Sequence, residues 1–99
     1  MNIQIHSLRF DADKKLLSFV NQKVSKLSLF SEDILSVEVN LRLDKGQDGE
    51  NKASEIKVEL PGGILFARKQ GKSFEEATDE AIDALKKQIT KHKEKMRGV

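Results

Sequence analysis

Two stretches of strict alternation decide the architecture. Val37, Val39, Leu41 and Leu43 alternate with Glu38, Asn40 and Arg42, and Ile56, Val58 and Leu60 alternate with Glu55, Lys57 and Glu59. Successive side chains of a strand point to opposite faces, so each stretch has one apolar face to bury and one that stays wet. The intervening segment, Asp44 to Lys52, is polar and rich in turn formers. The pair therefore reads as an antiparallel hairpin with a long polar loop.

The flanking segments supply the rest. Met1, Ile3 and Ile5 alternate with Asn2, Gln4 and His6, which predicts a short first strand with its apolar residues on one face. Leu16, Leu17, Val20, Val24 and Leu27 recur at helical spacing, with Asp13 or Asp11 placed to accept the free N–H groups of the first turn. They predict a helix from about Asp13 to Leu29. Pro61-Gly62-Gly63 turns the chain tightly, and a last strand runs from Ile64 to about Lys69. Ser73-Phe74-Glu75-Glu76 has the form of a capping box, with the serine oxygen on the Glu76 amide and the Glu76 carboxylate on the Ser73 amide. The helix it opens carries the stripe Phe74, Ala77, Ala81, Ile82, Leu85, Ile89 and Met96.

The order is β-α-β-β-β-α, an α+β chain. Since each strand has one apolar face, a four-stranded sheet with both helices on that face is the simplest solution, a two-layer sandwich. Its 99 residues suit one domain spanning 1–99 with a single core. The chain has no cysteine, which excludes disulfides and thiolate metal sites and suits a reducing cytoplasm. No apolar run approaches the roughly 20 residues of a membrane span.

Little here suggests catalysis. His6 and His92 lie far apart in the chain, and no nucleophile elbow, phosphate loop or dinucleotide fingerprint occurs. No metal, cofactor or small-molecule substrate is expected, and no enzyme. The acids of the last helix sit in its first half, where they favour the helix dipole.

Charge is more informative than the net value of +2 suggests. The last helix begins with Glu75, Glu76, Asp79, Glu80 and Asp83, then carries Lys86, Lys87, Lys91, Lys93, Lys95 and Arg97 against Glu94 alone. Taking about 100° per residue, Lys91 and Lys95 leave one flank of its stripe, Lys86, Lys93 and Arg97 the other, and Lys87 the back. The first helix holds four lysines and no acid between Lys14 and Leu29. Lys15, Phe19, Lys23 and Lys26 share one flank there, an arrangement that costs stability unless an anion accepts it. Phe19 is expected to pack at the core edge beneath lysine stems, with stacking on a base or ribose as the alternative, and His92 to be half-packed on its own stripe, with a phosphate or base contact as the alternative. An anionic polymer, nucleic acid first, is the partner these rows suit.

With both helices placed, nearly the whole chain resembles the ribosome hibernation factors, the short promoting factors and ribosome-associated inhibitors. Met1 to Ile5 with Leu16, Phe19, Val20, Lys23, Lys26 and Leu27 match the family's opening strand and helix. Ala77, Asp79, Ala81, Ile82, Asp83, Leu85, Lys87, Gln88, Ile89, Lys91, His92 and Lys93 match its last helix. The resemblance implies a fold like that of double-stranded-RNA-binding domains. It also implies action in the messenger- and transfer-RNA channel of the small ribosomal subunit, against ribosomal RNA, holding translation off in stasis. By position it implies rRNA contacts at Lys23, Lys26, Lys87, Gln88, Lys91 and Lys93; face geometry adds Lys15, Lys86, Lys95 and Arg97. The chain departs from the family at Arg68-Lys69-Gln70-Gly71-Lys72, where acids are usual, and at Glu75, where a tyrosine is usual. Ending at Val99, it is expected to be of the short type, a monomer away from the ribosome. A general double-stranded-RNA binder and a protein-interaction modulator of transcription remain rival readings.

Overall fold

A computed structural model of the chain describes residues 1–46 and 49–96. Strand β1 spans Asn2–Leu8, helix α1 Lys14–Ser25 with a 3₁₀ turn over Lys26–Leu29, β2 Ser36–Leu43, β3 Lys52–Leu60, β4 Gly63–Gly71 and α2 Phe74–Met96. The four strands lie side by side in chain order. β1 runs parallel to β2, from Asn2 beside Ser36 to Leu8 beside Arg42. The other pairs are antiparallel, with Val39 opposite Ile56 and Val58 opposite Leu65. The sheet is therefore mixed, and α1 is the crossover that a parallel pair requires. The α+β order and the two-layer arrangement are as the residue pattern predicts.

Val37, Val39, Leu41, Ile56, Val58, Leu60 and Ala67 form the inner face of the sheet. Onto it the helices bring Leu16, Val20, Val24 and Leu27, and Phe74, Ala81, Ile82, Leu85 and Ile89, into one buried cluster. α2 lies across β3 and β4, and α1 lies over β1. The buried hydroxyls of Thr78 and Ser54 satisfy one another across 3.2 Å. Leu43 and Met1, expected on the inner face, are 53% and 48% exposed because they lie at the ends of the sheet, outside the cluster.

Local chemistry sets the helix ends. Asp13 accepts the Leu16 N–H at 2.8 Å, so it, and not Asp11, caps α1. Ser73 accepts the Glu76 N–H at 3.0 Å. The reciprocal half of the expected capping box is not formed among the described residues: the Glu76 side chain lies instead against Gly71, where an added Cβ would be 3.2 Å from its carboxyl carbon. β3 starts at Lys52 and β4 reaches Gly71, beyond the expected ends, because Lys52 and Ala53 pair with Gly71 and Gln70.

Contacts between the helices fix their direction. The Phe10 ring stacks on Phe74 at 4.7 Å, Lys23 pairs with Asp79, and Phe30 lies beside Lys86 and Lys93. The contacts ascend together in both segments, so α1 and α2 run the same way. The C-terminal end of α2 rests on the β3–β4 turn. His92 Nε2 lies 3.2 Å from the Pro61 carbonyl, and an added Cβ on Gly62 (φ +84°) would stand 3.1 Å from Met96 Cε. Proline followed by a positive-φ glycine is the pattern of a type II turn.

Candidate nucleic-acid interface

The flank of α2 that faces α1 carries a ladder of polar contacts. Lys23 Nζ is 3.1 Å from Asp79 Oδ1, and Lys86 Nζ is 3.7 Å from Asp83. The Lys86 ammonium also stands over the Phe30 ring, 5.3 Å from its centroid. Two turns of α2 further, Lys93 Nζ donates to the Phe30 carbonyl at 2.8 Å. Three of the predicted contacts, Lys23, Lys86 and Lys93, are thus engaged in holding α1 and its 3₁₀ turn against α2.

The opposite flank faces the free edge of β4. Gln88 donates to the Phe66 carbonyl at 3.0 Å, covering one of the unpaired acceptors of that edge. Lys91 and Lys95, three and seven residues on, share Gln88's flank, and Lys87 points to the back as predicted. Gln88, assigned an RNA contact by family position, therefore has an internal structural partner. Arg97 lies outside the described residues.

Lys15 stands near the N-terminal ends of both helices. At 1.5 Å per residue it is roughly 16 Å along the axis from Lys26. Lys15 and Lys26 thus lie at opposite ends of the first helical segment, while Lys91 and Lys95 leave α2 on the flank away from it and Lys87 leaves from the back. None of these five lysines forms an ion pair or side-chain hydrogen bond among the described residues. Phe19 is half-buried against the core with Lys23 Nζ 5.5 Å from its ring, and His92 is half-buried, both as expected.

The outer face of the sheet provides the contrast. Glu38 is shared by His6 and Lys57 at 3.8 and 3.9 Å, and Glu55 by Arg42 and Arg68 at 3.5 and 3.2 Å. Arg68 also pairs with Asp44. Lys57, Arg42 and Arg68 on this face are neutralised by neighbours, whereas the basic end of the helical face is largely not. Among the described residues no cluster of three His, Cys, Asp or Glu could hold a metal, and no helix is long and apolar enough to cross a membrane.

The sequence pattern missed Phe30, a residue 36% exposed beside Leu29 at 81%. The signal available was an apolar pair, Leu29-Phe30, lying just past the periodic stripe of the first helix.

Comparison with known proteins gives these features a family. A family model described as sigma 54 modulation protein / S30EA ribosomal protein matches residues 3–97. The ribosome hibernation promoting factor of Escherichia coli strain K12 is 30% identical over 97 residues, 98% of either chain. That of Pseudomonas putida strain KT2440 is 25% identical over 99 residues, covering 100% of this chain and 93% of its own. A ribosomal subunit interface protein from Coxiella burnetii has the same fold, with a TM-score of 0.84 at 20% identity over 94% of this chain and 98% of that one. The N-terminal domain of Thermus thermophilus Protein Y gives 0.79 at 26% identity, over 93% and 99%. Matched from its first strand to the end of its last helix, the chain belongs to the sigma 54 modulation protein / S30EA ribosomal protein family.

Proposed function

We propose that this chain is a ribosome hibernation factor. In this reading it acts in the cytoplasm without catalysing a reaction, lies in the messenger- and transfer-RNA channel of the small ribosomal subunit, and holds translation off in stasis by contacting ribosomal RNA. The names carried by its relatives support the role. The observation that carries the RNA-contact part is the unequal neutralisation of the two faces. Lys26, Lys87, Lys91 and Lys95 have no internal partner among the described residues, so phosphate can meet them without a competing contact being broken. Lys23, Lys86 and Lys93 reach phosphate only by exchanging partners, and they form a second tier. Lys15 makes a separate contact at the far end of α1, Gln88 contributes through its edge position, and Arg97 extends the basic end.

Affinity of this kind is released-counterion affinity, and each phosphate contact adds roughly 0.7 to 0.9 to the slope of log K against log salt. The test is cosedimentation with small subunits across a salt series, with transfer RNA as competitor. Lys87→Glu with Lys91→Glu should weaken binding and flatten the slope by about two contacts' worth. Binding unmoved by this double reversal would fit a protein-interaction module and refute the assignment. A free RNA duplex that displaces the protein readily would favour a general double-stranded-RNA binder.

A further inference from the structure

Leu29 and Phe30 close the 3₁₀ turn at the point where it meets α2, and the two residues are 81% and 36% exposed. Exposed aromatics are usually loose, but this one is held from several sides. The Phe30 N–H donates to the Leu27 carbonyl at 2.9 Å, its own carbonyl accepts from Lys93 at 2.8 Å, and Lys86 sits over its ring. Beside it lies an open notch of about 330 Å³ between Leu29 and Phe30 on one wall and Thr90, Lys93 and Glu94 on the other. Lys86 is not among the residues lining this notch.

From this arrangement we infer that Phe30 is a stacking platform for an unpaired base of the bound RNA. The inference rests on the RNA-binding reading above and deepens it. Charge selects the class of occupant: Lys86 over the ring and Lys93 on the Phe30 carbonyl favour an anionic chain, while Glu94, the one acid of the basic half, lines the notch itself. A carboxylate there repels a phosphate and accepts the amino group of a base edge. A base has the flat apolar face that Leu29 and Phe30 present a surface for, and single-stranded segments offer bases free to be splayed out. Because the Phe30 backbone is already held by the Leu27 and Lys93 hydrogen bonds, little backbone ordering accompanies stacking.

The experiment is small-subunit binding of Phe30→Leu and Phe30→Trp across a salt series, with thermal melts of each variant. Loss of a stacked base corresponds to a drop of about 5- to 150-fold. Phe30→Leu should show such a drop with an unchanged salt slope, because no phosphate contact is lost, and Phe30→Trp should retain wild-type affinity or exceed it. Unchanged affinity in Phe30→Leu overturns the inference while leaving the hibernation reading intact. A drop accompanied by a slope flatter by one contact also overturns it, since the ring would then be serving Lys86 or Lys93. Absence of wild-type binding to small subunits would remove the reading and the inference together.

Discussion

Removing an acid from α2 should strengthen RNA binding. Asp79 holds Lys23 at 3.1 Å, with the two side chains 48% and 34% exposed. Half-exposed pairs of this kind contribute about 0.2 to 1 kcal/mol, so Asp79→Asn should lower stability by less than about 1 kcal/mol and the melting temperature by at most about 4 to 8 °C. Lys23 stays in place without the carboxylate, because its ammonium also lies over the Phe19 ring at 5.5 Å. For a phosphate on Lys23 the change acts twice. It frees one cation, steepening the salt slope by roughly 0.7 to 0.9, and it deletes a negative charge about 5 Å from the phosphate. In the dielectric of water the second effect is about 0.8 kcal/mol, close to fourfold in affinity. Filter binding or cosedimentation with small subunits, run from low to high salt, measures both quantities. If Asp79→Asn leaves affinity and slope where they were, Lys23 does not meet phosphate; if the slope becomes shallower, Asp79 serves to aim Lys23, and the reasoning here is wrong.

Two further outcomes are expected. Gly62→Ala forces a side chain into positive φ and toward Met96 Cε, so its unfolding midpoint in denaturant should fall by the equivalent of about 1 to 2 kcal/mol with no change in m-value. Gln88→Ala deletes the donor to the Phe66 carbonyl, which water can replace at that exposed edge, so stability should drop by less than about 1 kcal/mol. The same variant should leave the salt slope of small-subunit binding unaltered, because an amide releases no counterion.

The sheet was legible because alternation is a local property: Val37, Val39 and Leu41 and their partners Ile56 and Val58 occupy the faces their spacing predicts. Helix α2 was legible for the same reason, from Ala81 to Ile89. Ends were harder. Lys52 and Gly71 join strands through pairing with each other, a contact between residues nineteen positions apart that no local pattern contains. Lys26–Leu29 tightens into a 3₁₀ turn while keeping Leu27 on the buried face, so apolar spacing could not distinguish it from α-helix. In the site, the signs and flanks of the charges were legible. Their engagements were not: Lys23 with Asp79, Lys93 with Phe30 and Gln88 with Phe66 each depend on how α2 lies against another element. The apolar pair Leu29-Phe30 went unread because exposure is a property of the packed molecule.

The parallel pairing of β1 with β2 has a consequence for how the molecule opens. Asn2 and Ser36 are brought together from thirty-four residues apart, whereas Leu60 and Gly63 across the tight turn are three apart. For a flexible chain, loop-closure entropy makes the longer closure costlier by about 2 kcal/mol. β1 is thus the seam of the sheet that chain topology supports least. Local opening should begin there, uncovering the edge of β2 while the β2–β3–β4 meander and the basic end of α2 stay folded. Amide exchange would register it as early loss of protection along β1, and the half of the molecule proposed to meet RNA would outlast the half that begins the chain.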